Sequence, residues 1–124
     1  MNIELLEVSN DNKILDNKTF DFSQHLFLLL SKSDFSKLGV SKNTKVKLDG
    51  EDVDLKICEL SPFIRSTIIR FLEEFLVEIL SERLEKLGDS PSSNEFKEYT
   101  LDLRELTILV KSLKNTKYTH LKRL

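Results

Sequence analysis

The chain of 124 residues is long enough for one domain with a substantial core and too short for two ordinary ones. Its charged fraction of 32% against 40% hydrophobic residues excludes a disordered chain, and the single cysteine, Cys58, excludes an intrachain disulfide. The net charge of −2 is unevenly spread: residues 1–48 carry +1, residues 49–89 carry −6 and residues 90–124 carry +3.

Asn2 to Val8 reads as a strand, followed by the turn-rich run Ser9-Asn10-Asp11-Asn12 and a second short strand around Thr19 to Phe22. His25 to Leu30 contains a continuous apolar run, which fits a strand buried on both faces, although periodicity alone does not exclude a helix. Lys32 to Leu38 fits one or two helical turns, with Ser33 as N-cap and Gly39 as terminator. Thr44 to Leu48 and then Val53, Leu55 and Ile57 alternate as amphipathic strands. Asp49-Gly50 signals the turn between them, and Glu51 and Asp52 are expected to lengthen it beyond the tightest type.

Ser61 to Gly88 carries the strongest pattern in the chain. Ser61 suits an N-cap, Pro62 the first helical position and Gly88 the left-handed position after the last turn, so one helix is expected over about 62–87. Ile64, Ile68, Phe71, Leu72, Phe75 and Ile79 form an apolar stripe about 100° wide, enough to pack a home domain. Ile69, Leu76, Leu80 and Leu87 widen it, and Val77 and Leu84 carry it further round. The second sector asks for another surface, either the chain's own C-terminal helix or a partner. Gly88 to Asn94 reads as a flexible loop, Phe96 to Leu101 as an edge strand, and Asp102 with Glu105 as a capping box opening a helix with Leu103, Leu106, Leu109, Val110 and Leu113. Asn115 is expected to end that helix and Thr116 to cap a last turn through Tyr118 and Leu121.

Leu26 to Leu48, through Leu38-Gly39 and the alternating strand after it, is similar to the strand, short helix, turn and strand unit of swapped-hairpin antitoxin and transition-state regulator domains, and of double-psi barrels. That resemblance implies DNA binding, and the acidic segment and long helix that follow depart from its pattern.

Motifs for chemistry are sparse. Cys58 beside an alternating strand reads as an inert buried thiol, and His25 and His120 lack zinc-ligand spacing with it. Glu51, Asp52 and Asp54 lack the glycine and terminal glutamate of a calcium loop, and the three glycines form no phosphate loop. No catalytic residue, metal ligand or cofactor is therefore assigned. The longest apolar run, Leu26 to Leu30, falls far short of the roughly 20 residues of a membrane span. Glu4 and Glu7 stand where a signal peptide needs positive charge, so a cytoplasmic location is expected.

The expectation is a single α+β domain over residues 1–124, a small antiparallel or mixed sheet packed on the long helix with a shorter C-terminal helix. Functionally, the pattern points to a non-catalytic protein-binding module: an inhibitor, immunity or anti-defence protein, or a dimeric adaptor binding its own copy. The expected contact residues are Glu73, Leu76, Glu78, Leu80 and Leu84. The alternative is a nucleic-acid-associated regulator using Lys111, Lys114, Lys117, Lys122 and Arg123, a local excess of positive charge that also suits a helix C-terminus.

Overall fold

The computed structural model describes residues 2–87 and 93–123. Two hairpins form first in chain order: β1 (Asn2–Val8) with β2 (Ile14–Asp21), and β3 (Ser41–Leu48) with β4 (Glu51–Glu59). Between the hairpins lie α1 (Gln24–Lys32) and a 3-10 turn (Asp34–Lys37); after them come α2 (Pro62–Leu87), α3 (Ser93–Leu113) and β5 (His120–Lys122). The three-residue β5 sits between β1 and β4 and joins the hairpins into one antiparallel sheet ordered β2-β1-β5-β4-β3. The chain is thus α+β.

The β3–β4 connection is tighter than expected. Only Asp49 and Gly50 make it, at φ of 53° and 82°, the positive pair that a two-residue turn matched to strand twist requires. At one end the sheet curls until its outer strands meet: Lys13 bridges Lys47, whose N–H donates to the Asn12 carbonyl at 2.8 Å.

That curl explains two cores. Alternation along the strands sends Ile3 and Leu5 of β1, Cys58 of β4 and Leu121 of β5 to one face, where they meet Leu26 and Leu30 of α1, Ile68, Leu72 and Ile79 of α2, and Leu106, Leu109 and Leu113 of α3. The opposite face buries Leu6, Val46 and Ile57, with Val8, Ile14, Val53 and Leu55 partly covered. The sheet curving on itself shelters this smaller cluster.

Several expectations are corrected. His25 to Leu30 belongs to α1, because the Ser23 side chain accepts from the Leu26 N–H at 3.2 Å and opens a helix that buries Leu26, Phe27 and Leu30 while leaving Leu28 exposed. The likeness to the swapped-hairpin unit, which needs a strand there, ends with it. Phe96 to Leu101 is likewise helical, so α3 runs from Ser93 and Asp102 lies in its interior rather than at its cap. Beyond Leu113 the chain turns and enters β5 instead of a further helical turn; the Thr119 N–H donates to Leu6 O at 2.9 Å and the Leu60 N–H to Thr119 O at 2.8 Å. β2 begins at Ile14, earlier than the expected strand. Gly88 to Ser92 of the expected flexible loop lie outside the described residues, and Ser93 and Asn94 are the first residues of α3.

Candidate protein-binding face

The long helix follows its local signals. Ser61 caps it, with Oγ accepting from the Ile64 N–H at 3.3 Å and its carbonyl accepting from the Arg65 N–H at 2.8 Å. The 26 residues make a rod of about 39 Å. Arg65 reaches sideways from its first turns and donates to the carbonyls of Leu113, Asn115 and Tyr118, satisfying the end of α3.

Further along, Arg83 falls on the inner side of α2 with Ile68, Leu72 and Ile79, and it is 3% exposed. Its guanidinium donates to Asp102 Oδ2 at 2.9 Å and lies over the Tyr99 ring, 4.4 Å from the centroid. Asp102, fully buried, also accepts from the Ser23 N–H at 2.9 Å and from Ser23 Oγ at 2.5 Å. One carboxylate therefore ties the start of α1 to α2 and α3. The sequence signal for this network is a charged residue inside each apolar arc, Arg83 between core positions of α2 and Asp102 one turn before Leu106.

The outer side of α2 is different. Val77 is 64% exposed, Leu84 61% and Leu80 42%. Their spacing of i, i+3 and i+7 puts them within roughly 60° of arc, a ridge two turns long. Leu76 is half-buried at the edge of the main core. Glu73 is exposed and pairs at 3.3 Å with Lys114, the residue just past α3, on the side of the ridge toward α3. On the other flank Glu74, Glu78 and Glu85 are exposed along one side, and none of the three is in an ion pair among the described residues. Glu82 pairs with Lys86 at 2.9 Å, and each holds the other charged: the Glu82 pKa is lowered and the Lys86 pKa raised, chiefly by their hydrogen bond. Of the five expected contact residues, Glu73, Glu78, Leu80 and Leu84 are exposed on α2, and Leu76 is shared with the core.

Other candidates are separated by the fold. Cys58 faces the helices and is buried, with its thiol pKa raised by desolvation, whereas His25 is exposed on α1 and His120 projects to the opposite sheet face from Cys58. His120 stands across from Glu59 in a cleft of about 800 Å³ between the β1–β2 loop, the start of α2 and β5. Its Nδ1 is 2.8 Å from Thr119 Oγ1, and burial lowers its pKa, with Glu59 opposing. The cleft is wide, and the Arg65 guanidinium on its wall is already bound to carbonyls. Among the described residues no group of three His, Cys, Asp or Glu is placed to hold a metal ion, and no helix is long and apolar enough to cross a membrane.

The C-terminal bases are dispersed. Lys114 pairs with Glu73 and Lys117 with Asp16 at 2.5 Å, raising the Lys117 pKa and lowering that of Asp16. Arg123 turns inward, donating to the carbonyls of Phe35 and Leu38, each at 2.6 Å, with its guanidinium 5.4 Å from the Phe35 ring centroid. Comparison with family models, with curated proteins and with solved structures finds no match to this chain.

Proposed function

We propose that this chain is a non-catalytic protein-binding module, of the kind that serves as an inhibitor, immunity or anti-defence protein or adaptor, and that its partner lays a helix along the outer side of α2. The observation that carries this reading is the exposed ridge of Val77, Leu80 and Leu84 beside the carboxylates of Glu74, Glu78 and Glu85. An i, i+3, i+7 ridge is the pattern that an apolar helix face recognises. Covering a large apolar side chain completely is worth about 1.5–3 kcal/mol, so the ridge is an incentive to associate. The flanking carboxylates favour a partner with basic residues along its helix and speed its encounter. A second copy of this chain would bring like charges together, which ranks the homodimer below a basic heterologous partner. The nucleic-acid reading is weaker, because Lys114, Lys117 and Arg123 are engaged within the chain.

The test replaces the ridge by charge. Leu80→Glu with Leu84→Glu is expected to abolish retention of the native partner while the far-ultraviolet dichroism stays native; Val77→Glu with Leu84→Glu serves if the first pair disturbs folding. Unchanged retention by a folded variant overturns the reading. A wild-type mass by light scattering of twice the chain, reverting to one chain in the variant, replaces the heterologous partner with a homodimer seam.

A further inference from the structure

We infer that the groove between α1 and α2 is a receptor for an arginine side chain of a basic protein partner, an inference that rests on the protein-binding reading but has its own readout. The groove, of about 320 Å³, is lined by Lys32, Ser33 and Asp34 on one side and by Phe71, Glu74, Phe75 and Glu78 on the other. Two features make it more than a row of acids. Phe71 and Phe75 are half-buried, so part of each ring remains accessible, and they stack with centroids 6.0 Å apart and planes 18° from parallel. Phe35 continues the stack behind them, 6.3 Å from Phe71, which holds the rings in place. An aromatic face attracts a cation, and the flat guanidinium of arginine stacks on it while its N–H groups still point outward to carboxylates.

Those carboxylates are present on both walls. Glu74 and Glu78 are one helical turn apart on α2, about 6 Å along its axis, and Asp34 faces them from the 3-10 turn. None of the three is in an ion pair among the described residues. Among the described residues Lys32 supplies the groove's one ammonium, so three negative charges stand there against one positive. Charge and aromatic surface together select an organic cation over an acidic or neutral side chain.

The probe is a blocked hexa-arginine peptide, with hexa-glutamate as control, followed by amide and aromatic nuclear magnetic resonance of the whole chain. Saturable shifts are expected at Asp34, Phe71, Glu74, Phe75 and Glu78, with none from hexa-glutamate. Glu74→Gln with Glu78→Gln should weaken binding about tenfold, as expected on losing charge-assisted partners. Lys32→Met should tighten it by removing the competing ammonium, a change of sign that general damage to the fold would not produce. Leu80→Glu with Leu84→Glu should leave the arginine peptide bound at these positions, which separates failure of the groove from failure of the ridge. Shifts spread equally over the Glu51 to Asp54 strand, or an affinity indifferent to Glu74→Gln with Glu78→Gln, overturn the inference.

Discussion

The inner and outer sectors of α2 use similar residues to opposite ends. On the inner side Ile68, Leu72 and Ile79 are buried against the sheet and α3, and Arg83 is buried with them by an ion pair that Ser23 completes. On the outer side Val77, Leu80 and Leu84 are as apolar, yet each keeps two-fifths or more of its surface in water. The contrast teaches that apolar width on a helix does not by itself say what the helix packs on. α3 covers one flank far enough to half-bury Leu76, Lys114 just past its end reaches Glu73, and the ridge beyond is left uncovered.

Mutations can break the contrast at its strongest point first. Asp102→Ala leaves the buried Arg83 guanidinium and the part-buried Ser23 N–H without their acceptor, and removing one partner of a buried pair costs about 3–5 kcal/mol. A urea midpoint that stays near wild type would show that Arg83 escapes to water. Arg83→Met with Asp102→Leu should recover part of the loss, since the unpaired charge goes while the Ser23 N–H stays orphaned. Leu72→Ala tests the inner sector by packing alone and should cost about 2–5 kcal/mol, the range for a buried leucine leaving a cavity. The outer sector should respond least: Leu84→Gln is expected within about 0.5 kcal/mol of wild type in the same urea experiment. A cost at Leu84 comparable to that at Leu72 would mean the ridge belongs to the core and would remove the basis for docking there.

A chemical reading of the chain turns on where its few reactive groups fall. Cys58 and His120 are close in the sheet, through neighbouring positions of β4 and β5, but a strand sends alternate side chains to opposite faces. The thiol is therefore enclosed by the helices, while the imidazole borders the cleft beside Glu59. The basic C-terminal run shows the same effect. Its residues look like one patch in sequence, yet Arg123 is spent on the 3-10 turn, Lys117 on β2 and Lys114 on α2.

The sequence by itself determined the elements whose signals lie within a turn or two of the chain. Ser61 and Pro62 opened α2, alternation marked β3 and β4, and Ser33 and Gly39 bounded the 3-10 turn, because capping, pleat and left-handed backbone are local properties. The exposed outer sector of α2 was legible as surplus apolar arc, although only the placement of α3 decided that Leu76 is half-covered and Leu84 free. The rest depended on partners distant in sequence. Five apolar residues in a row suit a strand or a helix, and Ser23, held by Asp102 from 79 positions away, stands as the cap that makes Leu26 to Leu30 helical. Asp102 itself reads as a cap from its neighbours and becomes a buried acceptor once Arg83 lies across from it. β5 is three residues long, too short to announce itself, and exists because the two hairpins present free edges that only the returning chain can pair.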